Sequence, residues 1–131
     1  MPDASINPLR PVLAAVLTAP LFALQHISLT VGNPIPAAIL IMVLLAVLAV
    51  PFRFVTGWAY NRTGSLFLVG LIHGAGNAVT GGSGFQHGFL TRLYPEQQLP
   101  GLAHLLAFLV IGLIVVALTR GRLGADRSPT P

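Results

Sequence analysis

The chain has 131 residues, 54% of them hydrophobic and only 8% charged, where ordinary soluble domains carry roughly a quarter charged residues. A chain of that composition cannot clothe itself in a wetted surface, which excludes a soluble globular domain. The net charge of +4 comes from seven arginines scattered singly, which excludes a phosphate-tracking nucleic-acid partner, and the lack of cysteine excludes disulfides and thiolate metal sites.

Residues 1–10 are polar, contain two prolines and read as a short lead. Residues 11–30 carry no charge and are long enough for one crossing of a bilayer, which takes about 20 residues. Pro20 should kink that helix. A signal peptide is the competing reading of this segment, but Pro20, Gln25 and His26 break its apolar run. Val31 to Pro36 is a turn, and residues 37–59 form a second span in which Arg53 has to snorkel or face the protein interior. Tyr60, Asn61 and Arg62 make a polar corner beside Trp58.

Residues 64–81 form the third span, in which Gly70 and Gly74 have the small-xxx-small spacing that permits close approach of another helix. Residues 82–100 carry Arg92 and Glu96 and read as an extramembrane loop, with a helical turn around Phe89 to Tyr94. Residues 101–119 make the fourth span, and residues 120–131 a disordered basic tail. The expected fold class is therefore all-α, a polytopic membrane bundle of about four helices. Arg10, Arg53, Arg62, Arg120, Arg122 and Arg127 fall on one side of it, which puts both termini in the cytoplasm by the positive-inside rule.

Five polar residues within the spans require explanation: Gln25, His26, His73, Asn77 and His104. His73 and Asn77 are four apart and project from one helix face, one turn apart. His26 and His73 each lie toward the far end of their spans, so a cluster of His26, His73 and Asn77 in one half of the bilayer is geometrically feasible. Imidazoles can bind a divalent metal or move a proton, and an asparagine amide can donate to a developing oxyanion. The same residues can also serve as hydrogen-bonding glue between helices. His104 is placed at the interface and His87 in the loop. No carboxylate falls inside a span.

The stretch from Trp58 to Val79, WAYNRTGSLFLVGLIHGAGNAV, resembles the most characteristic segment of the CAAX prenyl endopeptidase and bacteriocin-processing family of intramembrane proteases, the CPBP or Abi family. Arg62 to Leu66 match its Arg-Thr-Gly-Ser-Leu corner, His73 and Asn77 its H-x-x-x-N helix, and Phe22 and His26 its earlier F-x-x-x-H helix. The resemblance covers Pro11 to about Thr80, the C-terminal part of the family core, and departs from the family in lacking the Glu-Glu-x-x-x-Arg helix. It implies an intramembrane endopeptidase acting on prenylated C-terminal peptides or leader peptides. His26 would bind a metal or position water, His73 would activate that water, and Asn77 would hold the oxyanion.

A divalent metal such as zinc on His26 and His73 is part of the same implication. With the glutamate motif absent, the chain reads as a truncated or degenerate member in the cytoplasmic membrane of a prokaryote. The lipid bilayer, a membrane-associated peptide substrate and a missing N-terminal portion are its expected partners. The alternative is a catalytically inactive membrane scaffold or partner-binding protein. A small transporter is disfavoured by the lack of an intramembrane acid.

Overall fold

A computed structural model describes residues 10–80, 89–94 and 99–125, and all regular structure among them is helical. The expected lead over 1–10 (except Arg10, which opens the first helix), most of the loop with His87, and residues 126–131 lie outside the described residues. The helices are α1 (Arg10–Leu24), α2 (Ile35–Thr63), α3 (Leu66–Thr80), α4 (Phe89–Leu93) and α5 (Leu99–Leu118), with a 3₁₀ turn over Ile27–Thr30 after α1. Helix α2 is central and packs against α1, α3 and α5.

Helix α1 stops earlier than the apolar run suggests. Its 15 residues rise about 22 Å, and the chain then tightens into the 3₁₀ turn, in which the Leu29 amide donates to the His26 carbonyl at 2.9 Å. Helix α2 has 29 residues, about 43 Å, and absorbs Tyr60, Asn61 and Arg62 into its last turn. The corner lies one step later. Gly64 ends the helix in the left-handed region at φ 64°, where a β-carbon is disfavoured, and its amide donates to the Tyr60 carbonyl at 2.7 Å. Thr63 Oγ1 accepts from the Ser65 amide at 3.2 Å, and Ser65 Oγ accepts from the Leu68 amide at 3.1 Å, which opens α3. The run Thr63-Gly64-Ser65 is thus a complete stop, turn and start.

Helix α2 is long and apolar enough to cross a membrane, while Arg10–Leu24, Leu66–Val79 and Ala103–Leu118 are shorter apolar helices. Large apolar side chains face outward along all four: Leu17 on α1 is 66% exposed, Phe67 on α3 80% and Leu118 on α5 81%. Lipid can cover such a surface and water cannot. The molecule is an all-α, partial membrane helix bundle.

Small residues bring the helices together. Ala15, Ala19 and Ala23 form a buried row at four-residue spacing on α1, and Ala49 and Ala59 are buried on α2. Helix α5 crosses α2 at Gly112, where an added β-carbon would lie 2.7 Å from the Pro51 carbonyl oxygen. Gly70 and Gly74, by contrast, have nothing within 4 Å of an added β-carbon, so the close approach expected there is not made among the described residues.

Residues 120–125 also differ from the expected disordered tail. They turn back after α5, and Leu123 packs at 2% exposure against Ala15, Phe54 and Val115. Asn61 Nδ2 donates to the Leu123 carbonyl at 2.9 Å, and the Leu123 amide donates to Thr119 Oγ1 at 3.1 Å. Arg120 and Leu123 accept positive φ angles of 50° and 46°, a backbone cost that burial of the leucine and the Asn61 bond offset.

Candidate active site

Three of the four cavity-forming helices bring a histidine to one end of the bundle. The last turn of α1 carries Phe22, and His26 follows it in the connecting turn. Phe22 and His26 stack at 4.9 Å between ring centroids, and His26 Nδ1 lies 3.0 Å from the Phe22 carbonyl oxygen. A carbonyl oxygen only accepts, so Nδ1 carries the proton and Nε2 keeps its lone pair free. The F-x-x-x-H spacing therefore has a local function, since residue i supplies both the ring and the carbonyl that set the tautomer and orientation of the histidine at i+4.

His73 reaches the same place from α3. Its ring centroid is 5.8 Å from that of His26 and 5.2 Å from that of Phe22, and Phe52 of α2 meets it edge-on at 5.4 Å. From α5, Phe108 packs edge-on against Phe52 at 5.2 Å and against His104 at 4.9 Å. The aromatic rings of α1, α2 and α5 thus hold the two histidines in a fixed frame.

These groups line a cavity of about 120 Å³ that Asn77 and His104 share. That is several times the roughly 10–15 Å³ that a single water needs, so water and a reacting amide fit together. Asn77 stands one turn beyond His73 on α3 and is exposed, with no side-chain hydrogen bond among the described residues. Its amide is free to meet an incoming group.

The structure therefore brings His26, His73 and Asn77 to one cavity. It also places there His104, expected at the interface. Gly76 makes room for it, since a β-carbon at 76 would sit 3.2 Å from His104 Cε1. Gln25 is exposed outside this cluster. Sequence reasoning missed Phe52 and Phe108, because nothing in the long apolar runs of α2 and α5 marks which phenylalanines turn inward.

A catalytic zinc takes three protein ligands. Among the described residues no three histidines or acids lie close enough to hold one ion: His104 shares the cavity but packs on Phe108, and His26 and His73 supply two imidazoles. These residues do not by themselves make a metal site, and the chemistry below uses none. What the cavity does hold is two ring nitrogens and an amide at a place with room for water, a set able to orient water, accept a proton and donate to an oxyanion.

No curated protein and no solved structure matches the chain. The family described as type II CAAX prenyl endopeptidase, Rce1-like, matches residues 4–79. That is more than half of the 131 residues, and the match contains Phe22, His26, His73 and Asn77, the side chains that meet at the cavity; the chain belongs to the Rce1-like family of type II CAAX prenyl endopeptidases.

Proposed function

We propose that the chain carries the carbonyl-handling part of a membrane-embedded endopeptidase, with His26, His73 and Asn77 as its working residues. The observation that carries this reading is the meeting of His26 and His73, 5.8 Å apart from two different helices, in a cavity that Asn77 also lines. In the proposed reaction the free Nε2 of His26 orients a water molecule and His73 takes part in moving its proton. The water oxygen bonds to the peptide carbonyl carbon, Asn77 donates to the resulting oxyanion, and collapse breaks the C–N bond as the amine gains a proton.

Imidazoles alone make a modest base for this step. The sequence has three acids, Asp3, Glu96 and Asp126, and no Glu-Glu pair. The water-activating carboxylate in this reading comes from outside these 131 residues, as part of a longer product or from a partner chain. Any divalent metal on His26 and His73, such as zinc, would draw its further ligand from the same source. The substrate class is a membrane-associated peptide, either a prenylated C-terminus or a leader peptide. Arg10 opens α1, Arg62 lies in the last turn of α2, and Arg120 and Arg122 follow α5, a placement that favours a cytoplasmic side for both termini, in the cytoplasmic membrane of a prokaryote.

The test is cleavage of a prenylated CAAX peptide and of a leader peptide by membranes holding the native form. His26→Ala, His73→Ala and Asn77→Ala each abolish cleavage while melting in detergent stays near normal; activity surviving in all three sinks the reading. A second reading, an inactive scaffold that retains these residues as helix glue, is favoured by the two-imidazole count. On that reading the same substitutions lower the melting temperature or break assembly, and no form cleaves peptide.

A further inference from the structure

A second cavity, of about 380 Å³, shares no lining residue with the histidine cavity. It is formed between the start of α1, the second half of α2 and the folded-back residues after α5. Arg10 and Arg53 both line it, together with Thr18, Asn61, Leu123 and Ala125. Arg53 Nε is buried and has no hydrogen-bond partner. Neither arginine makes an ion pair or hydrogen bond among the described residues, and those residues include no acidic side chain. Thr18 Oγ1 donates to the Ala14 carbonyl at 2.6 Å, and Asn61 Nδ2 to the Leu123 carbonyl; both side chains are neutral, so neither is a counter-ion for a guanidinium.

Two guanidinium groups from different helices facing one cavity, one with a buried donor that has no partner among the described residues, form a site suited to an anion. Its level in the bilayer tells what anion that is. Trp58 and Tyr60 stand on the same segment of α2 and are 38% and 44% exposed, the aromatic placement of the head-group zone. Exposed Leu13 and Leu17 on α1 continue an apolar outer face beside it, as an acyl chain requires. Basic pockets between spans at this level suit lipid head groups. We infer that the Arg10–Arg53 cavity binds the phosphate of an anionic phospholipid, with Leu123 and Ala125 closing over it. The site owes nothing to the peptidase reading and shares no lining residue with the histidine cavity.

The test uses the full chain, delipidated in detergent and titrated with phosphatidylglycerol, phosphatidylcholine or inorganic phosphate under native mass spectrometry. One equivalent of phosphatidylglycerol is expected to bind in preference to phosphatidylcholine, to raise the melting temperature, and to resist competition from millimolar inorganic phosphate. Arg53→Gln and Arg10→Gln each weaken binding about fivefold or more. Arg10 is exposed, so Arg10→Gln keeps the test intact should the Arg53 variant fail to fold.

Equal lipid binding by the wild type and the Arg10→Gln protein overturns the site. Displacement by inorganic phosphate at matching concentration overturns the lipid assignment in favour of a free phosphate. The double variant Asp3→Asn/Asp126→Asn removes the carboxylates nearest the cavity in sequence. It should leave lipid binding unchanged or stronger; if instead it and Arg10→Gln both lower the melting temperature of the lipid-free chain, the anion is internal and the inference falls.

Discussion

Gly76 decides whether His104 can reach the histidine cavity. A β-carbon there would meet His104 Cε1 at 3.2 Å, its Nε2 at 3.4 Å and Phe108 Cε2 at 3.9 Å, while two residues earlier Gly74 would meet nothing within 4 Å. Gly76→Ala should come out near neutral, because a shift of a few tenths of an ångström is offset by the roughly 1 kcal/mol that alanine adds to helix propensity. Gly76→Leu should cost about 1–3 kcal/mol of stability in detergent melting by overpacking, and Gly74→Leu should not destabilise. Equal effects at the two positions would mean that His104 does not pack on α3. The sequence showed the H-x-x-x-N spacing of His73 and Asn77 and the resemblance brought in His26, but neither pointed to His104. Its inward position depends on a glycine one helix away, a dependence that only the packed structure reveals.

At the scale of elements, the crossing of α2 and α5 rests on a backbone contact. Gly112 lies over Pro51, with 2.7 Å left between a β-carbon and the Pro51 carbonyl oxygen. Backbone cannot swing aside as a side chain can, so Gly112→Ala should push α5 away and cost about 1–3 kcal/mol, measured as a lowered melting temperature. The fold-back after α5 makes a matching case. Leu123→Ala removes a side chain that is 2% exposed and should cost about 2–5 kcal/mol, whereas Asn61→Ala, which removes one hydrogen bond to that leucine's carbonyl, should cost about 1 kcal/mol.

The apolar runs and the charges between them announce that helices exist here, but not where they end. Polar Tyr60, Asn61 and Arg62 remain helical because Gly64 and Ser65 supply the cap, and the apolar tail of the first run leaves the α-helix because the turn at His26 closes it. Nor could the inward faces be assigned. In a lipid-covered helix both faces are apolar, so the periodicity that marks a buried stripe in water is lost. Only the alanine row on α1 records the packing face, through size and not through polarity. The burial of Leu123 was hidden by its setting, a single large apolar residue in a basic, proline-containing tail.

For the whole molecule, two cavities of unlike chemistry adjoin along the central helix α2 within an apolar outer face. The histidine cavity takes the C-terminal end of α1 and residues 45–52 of α2, the arginine cavity the N-terminal half of α1 and residues 53–61 of α2, and the leucines, valines and phenylalanines exposed on the outer faces are the surface a bilayer covers. The chain should therefore stay in the membrane pellet through alkaline carbonate extraction; release into the supernatant would contradict its embedding. The arrangement also bears on catalysis. A positioned general base typically contributes about 10²–10⁴-fold in rate, and the described residues offer imidazole and amide groups but no carboxylate at the cavity. The purified 131-residue chain should then cleave a prenylated peptide at least about 10²-fold more slowly than membranes holding the native form. The intact mass of the native product, set against 13.7 kDa for these residues, and the chains that purify with it show where the carboxylate comes from. If the 131-residue chain matches the native rate, and His26→Ala and His73→Ala abolish that rate, the histidine pair needs no outside carboxylate and that part of the proposed mechanism is wrong.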